Sequence, residues 1–145
     1  MTAVTTTQAI PAVEDRSGSG SGQPTLDRQV VRWLRLEGVA ALVAGTVAYA
    51  TLGGSWIWFL PALLLVDASA VGYLANPRLG AFTYDLAHNW AVGLAILGLG
   101  LGLSLPVVAL AGTVVIAHIG MDRSVGYGLK LGSGFKDTHL GRMGR

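Results

Sequence analysis

The chain has 145 residues, of which 52% are hydrophobic and 12% charged, against about 25% charged residues in an average soluble domain. This composition excludes an ordinary charged surface in water, and the absence of cysteine excludes disulfides, zinc–thiolate sites and cysteine nucleophiles. The net charge is +2 and its basic residues lie in the tails without interleaved aromatic side chains, so we expect anionic lipid rather than nucleic acid as the partner.

The N-terminal stretch, residues 1–27, is rich in Thr, Ser and Gly and lacks the apolar core of a signal peptide. Within it, Ser17–Gly22 has the composition of a flexible linker. We predict a disordered leader over residues 1–27.

Four apolar segments follow, each of about the length that a helix needs to cross ~30 Å of hydrocarbon. They are Leu36–Leu52, Trp56–Leu74, Leu79–Leu103 and Leu105–Met121. Trp56 and Trp58 begin the second segment, where aromatic residues anchor a helix at the membrane interface. The predicted fold class is therefore all-α, an integral membrane four-helix bundle over residues 28–121. Gly98 and Gly102 have small-xxx-small spacing, which predicts close helix packing and a face for a homo-oligomer.

The basic residues predict the orientation of the bundle. With a cytoplasmic N-terminus, four spans place the N-terminal flank, the Ala75–Gly80 connection and the C-terminal tail inside. All ten basic residues lie in these regions: Arg16, Arg28, Arg32, Arg35, Arg78, Arg123, Lys130, Lys136, Arg142 and Arg145. This is the positive-inside pattern, so we expect a multi-pass protein of the cell membrane with both termini cytoplasmic.

The ionisable residues of the apolar segments fall in one layer in the cytoplasmic half of the membrane. The layer contains Glu37, Asp67, Asp85, His88, His118 and Asp122. A charge at such depth costs several kcal/mol unless it is paired or hydrated, so this layer is the candidate functional site. In a continuous third helix, Asp85, His88 and Asn89 would share one face, at positions i, i+3 and i+4.

This layer supports two chemical hypotheses. In the first, His118 or His88 moves a proton while Asp67, Glu37, Asp85 and Asp122 tune and orient the histidines. In the second, a divalent metal is held by carboxylate and imidazole ligands on facing helices, as in metal-binding bundles. The metal ligands would then be Asp67, Asp85, His88, His118 and Asp122.

The tail, residues 122–145, is Gly-rich and basic and is not a span. We predict a cytoplasmic cap on the bundle, in which Asp137 and His139 close its mouth.

Several motifs resemble one small bacterial family of multi-pass membrane proteins, the domain-of-unknown-function family numbered 4260. These motifs are Leu34–Gly38, Gly72–Gly80, Tyr84–Asn89, Ala117–Arg123, Gly126–Lys130 and Phe135–Gly141. The resemblance runs from Leu34 to the C-terminus. The family often has Pro where Val66 stands and Asn where Asp85 stands, which weakens any scheme that requires a carboxylate at Asp85. The family implies a membrane fold and no particular activity.

Three functions remain open on the sequence. The first is an enzyme acting on a lipid-phase substrate, such as an isoprenoid or fatty-acyl group, at the inner leaflet. The second is a small proton-coupled transporter or a sensor subunit that uses the same residues as a relay. The third is a structural membrane protein whose polar residues only pair with one another.

Overall fold

The computed structural model describes residues 27–143, and the chain is mostly helical. The predicted leader, apart from Asp27, lies outside the described residues. There are five α-helices: α1 (Arg28–Thr51), α2 (Trp56–Leu65), α3 (Pro77–Ala87), α4 (Trp90–Gly102) and α5 (Pro106–Val125). A 3₁₀ segment (Val66–Leu74) continues α2, and three short strands follow α5: β1 (Lys130–Leu131), β2 (Gly134–Thr138) and β3 (Gly141–Arg142).

Helix α5 lies at the centre, because α1 and α4 pack against it from two sides. Glycines allow the close approach on the α1 side. A Cβ added at Gly45 would lie 2.7 Å from the Ala117 backbone nitrogen, and one at Gly120 would lie 2.4 Å from that of Leu42. Backbones this close gain dispersion contacts along the whole crossing, which stabilises a pair of apolar helices in lipid.

Glycines also allow the close approach of α4 to α5. A Cβ at Gly100 would lie 2.2 Å from the Ala109 backbone nitrogen, and one at Gly112 would lie 2.4 Å from that of Leu97. Gly98 and Gly102, by contrast, have no atom within 4 Å of an added Cβ. The face predicted to bind a second copy is therefore open in the single chain.

The third predicted segment is not one helix, which corrects the prediction. Helix α3 ends at Ala87, and α4 begins anew at Trp90 with the Asn89 side chain accepting a hydrogen bond from the Ala91 N–H. Asn is a favoured N-cap because its side chain satisfies a free N–H of the first turn. Asn89 consequently belongs to α4 while His88 caps α3, so Asp85, His88 and Asn89 do not lie on one continuous helix.

The second predicted segment has the predicted bounds but changes helix type. It is α-helical from Trp56, includes Pro61, and becomes 3₁₀ at Val66. The 3₁₀ part packs against α3, where the Thr83 hydroxyl donates to the Ser69 carbonyl at 2.7 Å. Asp67 thus lies in a segment with about three residues per turn.

The tail adds a small antiparallel sheet in the order β1-β2-β3, so the chain is not entirely α-helical as predicted. Helix α5 ends at Gly126, whose left-handed backbone, with φ of 93°, terminates the helix. The sheet then packs against α3. This contact places the tail over the end of the bundle that contains Asp85 and His88.

Two helical stretches in the described part are long and apolar enough to cross a membrane, Trp56–Leu74 and Pro106–Val125, and Trp90–Gly102 is apolar but shorter. In Trp56–Leu74 only 17% of the most apolar window is buried inside the protein. Its exposed side chains include Ile57 at 76% and Leu65 at 70%. Such a large exposed apolar surface indicates association with a membrane.

Candidate functional site

Four of the predicted site residues meet at one point, and we call them the His/Asp group: Asp67, His88, His118 and Asp122. The 3₁₀ segment supplies Asp67, the break between α3 and α4 supplies His88, and the last turns of α5 supply His118 and Asp122. Each residue offers one nitrogen or oxygen atom, and these atoms all lie within 4.8 Å of one another. Residues far apart in the chain thus form a single cluster.

The two imidazoles are the closest pair, with 3.0 Å between His88 Nε2 and His118 Nε2. Asp67 Oδ1 lies 3.5 Å from His88 Nε2 and 3.4 Å from His118 Nε2. The Asp122 oxygens lie 3.7 Å and 3.9 Å from the same two nitrogens. The carboxylates of Asp67 and Asp122 therefore both lie 3.4–3.9 Å from the two imidazole nitrogens.

Neighbouring contacts orient two members of the group. His88 Nδ1 lies 2.8 Å from the Tyr84 carbonyl oxygen. A carbonyl only accepts, so Nδ1 carries the proton and Nε2 presents a lone pair to the group. The Tyr84 hydroxyl also donates to Asp122 Oδ2 at 2.6 Å, and the Tyr84 ring stacks on His88 with centroids 3.6 Å apart.

His118 has no such support. The residue is fully buried, and its Nδ1 has no hydrogen-bond partner in the described structure. A buried polar atom without a partner costs about 1–3 kcal/mol, so structural pairing alone does not account for this histidine.

The group is closed towards the tail and open at Asp67. The cavity between the group and the tail, lined by Tyr84, His88, Asp122 and Leu129 among others, is too narrow to admit water. On the other side the Asp67 side chain is 50% exposed, whereas those of His88 and His118 are 4% and 0% exposed. A ligand would therefore reach the group past Asp67.

Two predicted site residues do not join the group. The Asp85 carboxylate accepts the Lys130 backbone N–H at 2.6 Å and so binds the tail to α3. Glu37 lies exposed on α1. The contact with Lys130 accounts for Asp85, because it directs the carboxylate to the tail.

The tail covers the mouth with some of the residues expected there. His139 Nδ1 accepts the Leu129 N–H at 2.9 Å, and its Nε2 lies 2.8 Å from a guanidinium nitrogen of Arg123. Although His139 keeps an exposed edge, partial burial and then the positive charge of Arg123 lower its pKa. Asp137 instead accepts from the Ser133 hydroxyl within the sheet.

Lys130 is a residue of this region that the sequence interpretation did not assign to the site. Its side chain is 4% exposed and its ammonium lies 4.9 Å from the Tyr84 ring centroid. Burial lowers its pKa, and the charges of Asp122, Asp67 and Asp85 oppose that shift. A lysine in a Gly-rich basic tail gives no local sign of burial, so only the tertiary structure identifies it.

The donor set of the group fits a divalent transition metal. A tetrahedral ion bound at 2.0–2.1 Å has ligand atoms about 3.4 Å apart. Five distances, from 3.0 to 3.9 Å, lie on both sides of that value, the two to Asp122 being measured to different oxygens, and the four ligand atoms all lie within 4.8 Å of one another. Imidazole and carboxylate together suit zinc, iron and manganese, and the bonds from His88 and Tyr84 are the outer contacts that orient ligands in metal sites.

Comparisons with known proteins place the chain in a family but not in a functional class. No curated protein and no solved structure matches the chain. The family model described as Domain of unknown function (DUF4260) matches residues 31–143, which include the whole His/Asp group. As its motifs suggested, the chain belongs to the DUF4260 family.

Proposed function

We propose that the chain is a multi-pass membrane protein whose His/Asp group binds a divalent transition metal. The metal would support acid–base chemistry on a lipid-phase substrate at the inner leaflet. The observation that carries this proposal is the convergence of four ligand atoms from three chain segments within 4.8 Å.

The membrane placement rests on charge and exposed surface. All ten basic residues lie in the regions that a four-span topology puts in the cytoplasm. With both ends inside, the His/Asp group would lie in the inner half of the bilayer, near the start of the 3₁₀ segment and the end of α5. Substrate would thus approach from the inner leaflet or the cytoplasm.

A bound divalent ion would use the ligand atoms that the group brings together. It would take the lone pair of His88 Nε2, which lies only 3.0 Å from another imidazole nitrogen. It would also offset the negative charges of Asp67 and Asp122, which face two buried imidazoles. Such an ion polarises a substrate oxygen or lowers the pKa of a bound water.

Asp67 is the ligand at which the site opens. Its side chain is half exposed while the other three are buried. A catalytic metal needs one position that exchanges with substrate or water. We infer that this position lies beside Asp67, facing the lipid.

The first test is the metal content of protein purified in detergent. We expect about one zinc, iron or manganese ion per chain, and its loss in His118→Ala and Asp67→Asn. Asp85→Asn is the matched control, because its amide oxygen can still accept from Lys130 while the charge next to the group is removed. This control should keep its metal.

Absence of a stoichiometric metal in the wild-type protein, even after supplementation, would overturn the metal centre. Enzymatic function is tested by mass spectrometry of lipid extracts from cells that produce the wild type or His118→Ala at equal levels. A lipid altered only by the wild type is expected. Identical extracts would contradict an enzyme.

The second candidate is a proton-coupled carrier, favoured by the 3.0 Å contact between His88 Nε2 and His118 Nε2. Without a metal, the two nitrogens would share one proton and form a relay. Reconstitution in vesicles separates the two functions, because only a carrier moves a solute without changing it. Variants that lose helicity on removal of either histidine would instead indicate a structural role.

A further inference from the structure

Lys130 is a buried cation that the proposed chemistry does not use. Its ammonium lies 4.1 Å from the Phe135 ring centroid, and it donates to Met143 Sδ at 2.8 Å. In the described part of the chain it forms no ion pair with a carboxylate. Contacts with aromatic rings and sulfur stabilise an ammonium less than a carboxylate does, so its placement needs a reason.

Arg123 is a second cation at the same mouth without an acidic partner. Its guanidinium contacts the imidazole of His139, and no described carboxylate pairs with it. It follows Asp122 directly in α5. Two positive charges are thus held beside the His/Asp group but not neutralised by contact.

The charge of Lys130 acts on the ligands of the group. The negative charges of Asp122, Asp67 and Asp85 lie near enough to its ammonium to oppose the lowering of its pKa by burial. Tyr84 connects the two regions, since it has the ammonium over its ring and donates its hydroxyl proton to Asp122. Lys130 therefore belongs to the electrostatic environment of the site, although it is no ligand.

The charge balance changes sign when a divalent ion binds. Three carboxylates (Asp67, Asp85 and Asp122) and two cations (Lys130 and Arg123) leave one net negative charge when both histidines of the group are neutral. A divalent ion converts this to one net positive charge. In a medium of low dielectric constant, such an excess favours an anion beside the metal.

We propose that Lys130 and Arg123 make the metal-loaded site selective for a substrate that carries a phosphate group. Phosphate is an anion that binds readily to a divalent metal, and lipid headgroups carry it at the inner leaflet. Because the space between the group and the tail admits no water and the group is open at Asp67, the two cations act on the phosphate through their electric field and not by contact. The inference rests on the proposed metal centre and names the chemical class of its substrate. Lys130 acts as a specificity-determining charge and Arg123 as a second one.

The experiment measures phosphate binding by the full chain in detergent after loading with Mn²⁺. Inorganic phosphate is titrated first, and nanodiscs of phosphatidylcholine with and without phosphatidic acid follow, so that free phosphate and a lipid headgroup are distinguished. We expect Lys130→Gln to weaken phosphate binding about tenfold at unchanged Mn²⁺ content, because the substitution removes one positive charge near the site. Lys130→Arg should retain most of the affinity.

Lys136→Gln is the matched control, since Lys136 lies exposed on β2 of the same sheet. It should bind phosphate like the wild type. Equal affinity in Lys130→Gln and wild type, or no phosphate binding by the Mn²⁺-loaded wild type, would overturn the inference while leaving the metal centre intact. Failure to bind Mn²⁺ would overturn both.

If Lys130→Gln does not fold, the wild type still decides the question. Electron–nuclear double resonance should then detect ³¹P coupling to the bound Mn²⁺ in the presence of phosphate. No ³¹P coupling from either phosphate source would reject the subsite.

Discussion

At the scale of single residues, Tyr84 connects most of the site. It accepts from His88 Nδ1–H through its carbonyl, stacks on the His88 ring and donates to Asp122 through its hydroxyl. One residue therefore orients one imidazole and one carboxylate of the His/Asp group. Outer contacts of this kind set the direction in which a ligand atom points.

Tyr84→Phe removes only the hydroxyl and leaves the ring stacked on His88. We expect the affinity for a divalent metal to fall by about 10–100-fold, since Asp122 loses its orienting hydrogen bond. Competition with a chelator in detergent measures this change. Tyr127→Phe, at an exposed tyrosine, is the control and should bind like the wild type. Unchanged affinity in Tyr84→Phe would show that Asp122 needs no such support.

The depth of the ionisable residues, read from the sequence, selected six candidates, and the structure groups four of them. Depth follows from position along an apolar segment, which composition reveals. The direction in which a side chain points around the helix axis cannot be read from composition, because it depends on where each helix ends. Asp85 was expected to join His88, its i+3 neighbour, in the site, but its carboxylate accepts the Lys130 backbone N–H of the tail instead.

At the scale of elements, the structure depends on how closely α5 approaches its neighbours. Gly112 and Gly98 both belong to the α4–α5 pair but differ in surroundings. The space for a Cβ at Gly112 is occupied by the Leu97 backbone, while Gly98 faces open space. Substituting each glycine by alanine therefore separates the effect of helix packing from that of intrinsic helix preference.

Gly112→Ala should lower the thermal stability in detergent, because overpacking costs about 1–3 kcal/mol. Gly98→Ala should leave it unchanged or raise it slightly, since alanine favours a helix by up to about 1 kcal/mol over glycine. Circular dichroism during heating measures both. Equal melting of the two variants would contradict the observed α4–α5 approach. A drop in Gly98→Ala would indicate a second copy on that face.

The apolar segments were predictable because twenty or so hydrophobic residues form a strong signal. The break at His88–Asn89 and the three strands gave weaker signals. Asn89 can cap a helix, but within an apolar stretch it also suits a continuous one. The strands are only two to five residues long and depend on contacts such as that between Lys130 and Asp85, which join residues far apart in sequence.

At the scale of the whole molecule, charge and polarity are arranged along one axis. In the described part of the chain, Arg28 begins α1, Arg78 lies in the first turn of α3 and Arg123 in the last turn of α5, while the connections at Gly53–Ser55 and Ser104–Pro106 contain no basic residue. Such asymmetry determines the orientation of a membrane protein, because loops rich in Lys and Arg stay in the cytoplasm. The predicted topology follows from this asymmetry.

Reporter fusions test the orientation. Green fluorescent protein should fluoresce at either terminus, since both are expected in the cytoplasm. Alkaline phosphatase should be active when inserted at Gly53–Ser55 and inactive at the C-terminus. An active phosphatase at the C-terminus would reject the even number of spans, and fluorescence at neither end would reverse the orientation.

The 3₁₀ segment has a consequence for length. A 3₁₀ helix rises about 2.0 Å per residue against 1.5 Å in an α-helix, so Val66–Leu74 is about 4.5 Å longer than the same nine residues in α form. The stretch from Trp56 to Leu74 therefore reaches ~33 Å with only 19 residues, enough to cross the hydrocarbon layer without tilting. Winding this segment into an α-helix would shorten the chain between Asp67 and α3, so the helix type itself contributes to how far Asp67 lies from His88 at the end of α3.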